Sequence, residues 1–224
     1  MKNTRGSDKR CGSKPGLPFY LGGRFGATSC KLSSPKEKDS IPPSQEKADA
    51  IPTTISAKAD IIPAYFKAML ACYCSDGKVS PQVSIETFGA GDGKFYIYTD
   101  PEGKFIVRDG FTDNFGCTIV EWKVGGKIRP VWMMSYTGEY GPDAIPILKQ
   151  ALRASFEAKE WRGGRGPAFL EVGNYQYHND VASNNPLGFK GSEWISRLRT
   201  EPSEVRCVGQ HNYIGHALLK FVTP

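Results

Sequence analysis

Several patterns that identify common protein classes are missing from this chain of 224 residues. No segment approaches the roughly 18 apolar residues that cross a bilayer, which predicts a soluble protein without a transmembrane segment. Its six cysteines are too few for a disulfide-built scaffold, so we expect reduced thiols in a reducing compartment. The composition also differs from that of collagen, of coiled coils and of wholly disordered chains.

Signatures of established catalytic and metal sites are missing as well. The three histidines, His178, His211 and His216, lack the spacing of a zinc site, and we predict neither a metal nor a cofactor. The chain has no G-x-S-x-G nucleophile elbow. Glycine clusters at 89–93 and 163–166 lack the strand-to-helix setting and the Lys-Ser/Thr ending of phosphate-binding loops. A nucleotide-binding enzyme is therefore not indicated.

The net charge of +6 belongs to the N-terminal part of the chain. Residues 1–58 contain 11 Lys/Arg and 5 Asp/Glu, whereas residues 59–224 contain 18 of each. Specific nucleic-acid binding requires basic residues clustered on a folded face, so we expect no such partner. The low aromatic content of 1–58 and its many Ser, Pro and Gly residues predict a disordered basic tail. The expected location is cytoplasmic, with organelle targeting through residues 1–36 as the alternative.

Residues 59–224 have the patterning of one folded domain with two helices. Apolar residues at helical spacing predict a first helix over 60–74, with Asp60 as its cap. A second helix is predicted over 143–160, with Asp143 as its cap. The glycine-rich run at 163–166 ends the second helix.

Short β-prone segments occupy most of the remaining domain. The predicted strands are centred on 95–98, 104–108, 117–122, 131–136, 168–172, 175–178, 194–198, 205–208 and 216–222. Turns as short as Gly125-Gly126 join antiparallel strands, because parallel crossovers need a dozen or more residues. We therefore predict an α+β fold with a curved antiparallel sheet and about two helices packed on one face.

Aromatic residues are the feature of this domain that bears most on function. Of the 26 aromatic residues of the chain, 23 lie within 59–224. They either fill the core or line a sheet face that contacts a ligand. The second interpretation predicts a non-enzymatic module that binds a small molecule or a protein. Its candidate ligand-binding residues are Trp132, Tyr136, Arg165, Tyr175, Tyr177 and Trp194.

An enzyme, either a hydrolase or a transferase, is the alternative function. It would use Glu193, His178 and His211 as catalytic residues, with Arg165 in the same cleft. Proton transfer requires direct contact or one bridging water, so these side chains must lie within about 10 Å of one another.

Five short motifs occur, once each, between residues 94 and 219. They are Gly116-Cys117-Thr118-Ile119-Val120, Pro130-Val131-Trp132-Met133-Met134-Ser135-Tyr136-Thr137-Gly138, Arg165-Gly166-Pro167, Tyr175-Gln176-Tyr177 and Phe189-Lys190-Gly191-Ser192-Glu193-Trp194-Ile195. Together they resemble the DUF5680 family, a mainly bacterial domain of unknown function that has a helix near 143–160. Thr118 departs from the glutamate usual in that family, and 210–215 only loosely matches its His-Gly-Gly ending. Some members carry an N-terminal helix-turn-helix, for which the tail here shows no helix pair.

Overall fold

A computed structural model describes residues 54–75, 77–78, 80–89, 93–198, 205–218 and 220–224. The predicted disordered tail and targeting segment lie outside these residues, apart from the last residues of 1–58. The helical elements are a π-helical turn over Ala57–Ile61, α1 over Ile62–Ala71 and α2 over Ile145–Glu157. The strands are β1 Ile55–Ser56, β2 Val83–Phe88, β3 Gly93–Thr99, β4 Phe105–Phe111, β5 Phe115–Val124, β6 Lys127–Tyr140, β7 Phe169–Val172, β8 Tyr175–Asn185, β9 Gly188–Leu198, β10 Val205–Ala217 and β11 Val222–Thr223.

Nine of these strands form one antiparallel sheet that does not close into a barrel. Their order across the sheet is β2-β3-β4-β5-β6-β10-β9-β8-β7. Strands β2 to β6 follow each other as a meander, and β7 to β10 form a second meander that joins the first through β10 and β6. The predicted α+β fold with a large antiparallel sheet and two helices is therefore confirmed. A separate parallel pair, β1 with β11, holds residues 55–56 beside 222–223.

Strand and helix boundaries differ from the predictions in several places. The segment predicted at 205–208 and the first two residues of the one predicted at 216–222 belong to one long strand, β10, and the edge strand β2 was not predicted. Among the described residues the first element is β1 at Ile55–Ser56, which lies within the last residues of the segment 1–58. Strand β10 contains a bulge between Cys207 and Gly209, which interrupts the regular alternation that predictions from sequence depend on.

Neither predicted helix cap is the residue that caps the helix. Ser56 caps the first helical segment, because its Oγ accepts a hydrogen bond of 3.1 Å from the Ala59 amide. Asp60 instead accepts a bond from the Ser56 amide through Oδ2 and pairs with Lys104 through Oδ1. The N-cap of α2 is Ala144, which makes no side-chain capping bond. Asp143 stands one residue too early to cap that helix.

One face of the sheet is buried, and cross-strand pairs of glycine with an aromatic residue recur on it. Gly116 lies opposite Tyr136, Gly191 opposite Tyr213 and Gly215 opposite Phe189. A Cβ at any of these glycines would overlap the partner's aromatic side chain, with the nearest atom at about 2.0–2.3 Å. The glycines therefore let large rings lie flat against the neighbouring strand.

Both helices pack against this buried face and against each other. Tyr65 and Phe66 of α1 contact Phe156 of α2, and Tyr65 also contacts Trp132 on β6. These four residues are at most 4% exposed, so they form the centre of the core. Within the described residues, no helix is both long enough and apolar enough to cross a membrane. Cys72, Cys74, Cys117 and Cys207 are free thiols, while Cys11 and Cys30 lie outside the described residues.

Candidate functional site

A cavity of about 550 Å³ lies between the helices and the buried side of the sheet. Strands β3, β4 and β6, the end of α1 and the start of α2 contribute its aromatic and apolar walls. Asp109, Arg165 and His211 also line it, although each is at most 9% exposed. The charged or polar residues Lys94, Thr112, Asp113, Asn114 and Glu139, which are exposed, line it as well. The cavity thus combines a buried polar end with a solvent-exposed one.

The buried end is built on an ion pair between Arg165 and Glu193. Both Nε and Nη2 of the guanidinium donate hydrogen bonds to Oε1 of Glu193, the first at 3.0 Å. Arg165 is 3% exposed and Glu193 is fully buried. The guanidinium also lies over the Tyr136 ring, with its carbon 5.2 Å from the ring centroid. A buried pair of this kind positions both side chains rigidly, because separating them leaves a charge without compensation.

Hydrogen bonds from β8 and β10 hold the loop that carries Arg165. The Tyr177 hydroxyl donates to Oε2 of Glu193 at 2.6 Å and accepts from the Gly166 amide at 3.0 Å. The side-chain amide of Asn179 donates from Nδ2 to the Gly166 backbone carbonyl at 2.7 Å, and its Oδ1 accepts from the Tyr213 hydroxyl. The glycine-rich run after α2 is therefore a structural loop that fixes the guanidinium.

These contacts keep Glu193 ionised. Burial alone would raise its pKa, but the Arg165 charge, the nearby His211 imidazole and the hydrogen bonds from Arg165 and Tyr177 outweigh burial and lower the pKa to about 2. Burial and then the negative charge of Glu193 raise the pKa of Tyr177 well above its usual value, against the opposing effect of Arg165. At neutral pH the Arg165–Glu193 pair consequently carries one positive and one negative charge.

His211 and Tyr140 complete the surroundings of the ion pair. Nδ1 of His211 lies 3.5 Å from Oε1 of Glu193 and forms no regular hydrogen bond with any described residue. The imidazole packs edge-to-face on Tyr140, with a centroid distance of 4.5 Å, and also contacts Tyr136. The buried Tyr140 hydroxyl likewise finds no regular hydrogen-bond partner among the described residues. Burial and the Glu193 charge raise the pKa of Tyr140.

Asp109 supplies a second buried carboxyl group from β4. Its Oδ1 accepts hydrogen bonds from the Thr118 hydroxyl at 2.7 Å and from the Tyr136 hydroxyl at 3.3 Å. Burial raises its pKa, and the opposing effects of Thr118, Arg165 and Tyr136 do not cancel the rise. Asp109 therefore brings a carboxyl group of raised pKa to the cavity wall, whereas Glu193, whose pKa is lowered, lies behind Arg165 and does not line the cavity. Opposite shifts of this kind separate acid and base roles in proteins.

The structure brings together some of the residues predicted from sequence and separates others. Arg165, Glu193 and His211 converge, with Tyr136 and Tyr177 in direct contact with this group. His178 does not join them. It stacks on Trp194 with a centroid distance of 4.9 Å and an interplanar angle of 6°. Both alternate with buried residues on their strands, so their side chains lie on the opposite face of the sheet.

Two further candidates lie outside the polar group. Trp132 is a core residue, 1% exposed, which stacks on Phe189 and donates from Nε1 to the Pro186 carbonyl at 3.2 Å. Tyr175 is half-buried near the other end of the sheet, where the Arg197 guanidinium lies over its ring. Neither residue lines the cavity.

Reasoning from sequence missed Asp109 and Tyr140. Asp109 follows Phe105 and Val107 at period two, which places its carboxyl on the buried face of β4. A carboxylate at a position where the strand pattern predicts a buried side chain could have identified Asp109 as a candidate site residue. Tyr140 carried no comparable signal, because its role depends on the pairing of β6 with β10, which brings it opposite Gly209.

Neither a search for metal-binding groups nor comparisons with known proteins identified a function for this site. The described residues contain no group of three or more His, Cys, Asp or Glu side chains that would hold a metal ion. Comparisons with protein-family models, with curated proteins and with solved structures found no match to this chain. The functional argument therefore depends on the geometry of the cavity.

Proposed function

We propose that this protein binds a small molecule in the cavity between its helices and its sheet. The observation that carries the proposal is a cavity with aromatic walls and a rigid, buried polar end. Ligand sites are typically concave and mostly apolar, and a few fixed polar groups orient the ligand. The volume of about 550 Å³ lies within the 300–1,000 Å³ range typical of such sites.

Substitution of an exposed residue that lines the cavity tests this proposal. Thr112 is exposed and lines the cavity, so we expect Thr112→Trp to obstruct it. Thr99→Trp is the matched control, since Thr99 is exposed on β3 and does not line the cavity. A set of bicyclic aromatic fragments should raise the unfolding midpoint of the wild type and of Thr99→Trp, but not of Thr112→Trp. Equal midpoint shifts in all three proteins would exclude the cavity as the binding site.

An enzyme remains a second candidate because three of its proposed groups converge. Glu193 lies beside Nδ1 of His211 and would orient the imidazole, while Asp109 provides a carboxyl of raised pKa in the same cavity. Such an acid and base could act on a bound ester through an activated water. Hydrolysis of p-nitrophenyl acetate above the buffer rate, lost in His211→Ala and retained in His178→Ala, would support this function. Equal rates in all three proteins would argue against it.

Family and location also remain proposals. The motifs between 94 and 219 lead us to propose membership of the DUF5680 family. We propose a cytoplasmic location, with an organelle address in residues 1–36 as the alternative. Comparing the location of the full chain with that of a chain lacking residues 1–36 distinguishes the two.

A further inference from the structure

The one cation that the described residues place at the buried end of the cavity, Arg165, is already compensated within the protein. Two nitrogens of the Arg165 guanidinium donate hydrogen bonds to Glu193, and the two side chains together carry no net charge. Asp109 receives its two hydrogen bonds from hydroxyl groups, and no ion pair joins it to a cation among the described residues. A charged ligand group placed here would lose its hydration without gaining a free counter-charge.

The hydrogen-bonding pattern of Asp109 indicates what its carboxyl can offer. Oδ1 already accepts two bonds, from Thr118 and from Tyr136. Oδ2 takes no part in those bonds, so it is the oxygen that would carry the proton of the neutral acid. A neutral carboxyl group in an apolar site is a hydrogen-bond donor. Burial raises the Asp109 pKa, which favours this form.

The groups that surround this carboxyl come from several elements. The charged or titratable groups that interact with it are Tyr65, Cys72, Tyr73, Cys74, Tyr96, Cys117, Tyr136 and Arg165. Burial raises the pKa values of the tyrosines and cysteines among them, so those groups are neutral at neutral pH. Arg165 is the one cation in that set, and its charge is matched by Glu193.

We propose that the ligand of this cavity carries an uncharged carbonyl oxygen, which accepts a hydrogen bond from the carboxyl group of Asp109. This inference rests on the proposed small-molecule function and adds the chemical class of the ligand. The aromatic walls, to which Tyr96, Phe111 and Tyr136 contribute, suit a planar body next to that carbonyl.

Four naphthalenes that differ only in their substituent test the proposal on the full chain. They are 2-acetylnaphthalene with a neutral carbonyl, 2-ethylnaphthalene of the same shape without an acceptor, 2-naphthoate as the anion and 2-(aminomethyl)naphthalene as the cation. Calorimetric titration at about pH 5, where the raised pKa of Asp109 favours its protonated form more than at neutral pH, should give a Kd for the acetyl compound about tenfold lower than for the ethyl compound, the effect of one buried hydrogen bond. Both ions should bind more weakly than the acetyl compound.

Other results would overturn the inference in identifiable ways. Tightest binding of the naphthoate would make Arg165 an anion site, and tightest binding of the amine would make Asp109 an ionised carboxylate. Equal affinities for the acetyl and ethyl compounds would remove the carbonyl contact while leaving the cavity a binding site. Failure of all four compounds to bind would contradict the proposed function together with this inference.

Two variants of Asp109 decide whether this residue makes the contact. The measured quantity is the ratio of the ethyl to the acetyl Kd in one protein, which does not depend on the fraction of protein that is folded. Asp109→Asn should keep the ratio near the wild-type value, because its amide donates and its carbonyl still accepts from Thr118 and Tyr136. Asp109→Ala should reduce the ratio to about one. An unchanged ratio in Asp109→Ala would rule out Asp109 as the donor.

The pH dependence of the same Kd ratio independently tests whether the protonated carboxyl of Asp109 is the hydrogen-bond donor. In the wild type the ratio should fall as the pH rises through the raised pKa of Asp109, because the carboxylate no longer donates. In Asp109→Asn the ratio should not change with pH. A wild-type ratio that increases with pH would contradict the proposal.

Discussion

Glu193 is the side chain on which the geometry of the candidate site depends most. It is fully buried, and it contacts Arg165, Tyr177 and His211 at once. Its carboxylate compensates the guanidinium and also lies 3.5 Å from Nδ1 of the His211 imidazole. Removing its charge therefore affects two other functional candidates in addition to its own contacts.

Glu193→Gln should destabilise the protein strongly because it leaves the Arg165 charge buried without a partner. We expect the free energy of unfolding, measured by urea titration at neutral pH, to fall by about 3–5 kcal/mol. The matched control is Glu121→Gln, which breaks a part-exposed pair with Arg108 at 2.9 Å. That change should cost less than about 1 kcal/mol. Similar losses in the two variants would contradict the special role assigned to Glu193.

The difference between wild type and Glu193→Gln should depend on pH in a definite direction. Folding lowers the Glu193 pKa from 4.5 to about 2, so its stabilising effect is fully present above pH 4.5. The effect is lost as the pH falls from 4.5 towards 2, because the folded carboxylate then takes up its proton. Urea titrations across this window should show the two proteins converging. If the difference in free energy of unfolding between the two proteins stays constant across this pH range, the charge of Glu193 is not what stabilises the wild type.

Asp109 should behave in the opposite sense, since folding raises its pKa above 3.8. Stability contributed by its neutral form is complete below pH 3.8 and is lost as the pH rises through the folded pKa. Asp109→Asn cannot titrate, so we expect it to be more stable than wild type at neutral pH and to lose that advantage below pH 3.8. Asp180→Asn, at an exposed position on β8, is the control and should change little. A neutral-pH loss of stability in Asp109→Asn would show that the carboxylate is the favoured form.

At the scale of the elements, the start of the first helical segment depends on one side chain. The Ser56 hydroxyl accepts from the Ala59 amide, and the Asp60 carboxylate accepts from the Ser56 amide. Two backbone donors that the helix itself leaves unpaired are thus satisfied reciprocally. No comparable bond exists at the start of α2, where Ala144 holds the cap position.

Alanine substitutions at the two helix starts should therefore differ. Ser56→Ala removes the capping oxygen and should lower the free energy of unfolding by about 0.5–2 kcal/mol. Asp143→Ala removes an exposed carboxylate that lies 4.0 Å from Arg197, and it should change stability by less than about 0.5 kcal/mol. Thermal or urea unfolding of both variants measures the contrast. A larger loss in Asp143→Ala would show that α2 depends on a side-chain cap after all.

Sequence patterns predicted the types of these elements better than they predicted the contacts between them. Period-two and period-3.6 patterns are local, which is why the helix at 143–160 and the strand near 117–122 were predicted close to their places. Residues of the candidate site meet through long-range pairing. Glu193 reaches Asn179 and His211 through the register of β9 with β8 and β10, and no local pattern encodes that register. For the same reason the prediction grouped His178 with Glu193. In the structure Asn179 pairs with Glu193, and His178, one residue earlier on β8, lies on the opposite face of the sheet.

At the scale of the whole folded unit, a short parallel pair joins two segments that are distant in sequence. Ile55 pairs with Val222 and Ser56 with Thr223, and the Ile55 amide donates to the Phe221 carbonyl at 2.9 Å. Val222 is 4% exposed, whereas Thr223 is exposed. Because α1 begins six residues after Ser56, this pair anchors the segment from which α1 extends to the cavity.

Opening this pair should loosen the first helical segment before the sheet. Val222→Asp buries an unpaired carboxylate, while Thr223→Asp places the same group in solvent on the adjacent residue. In Val222→Asp we expect amide hydrogen exchange at residues 55–61 to accelerate by at least about tenfold, with the central strands β5 and β6 much less affected. Thr223→Asp should leave the exchange pattern close to that of wild type. If exchange instead accelerates equally in β5 and β6, the pair stabilises the whole unit and not the first helical segment in particular.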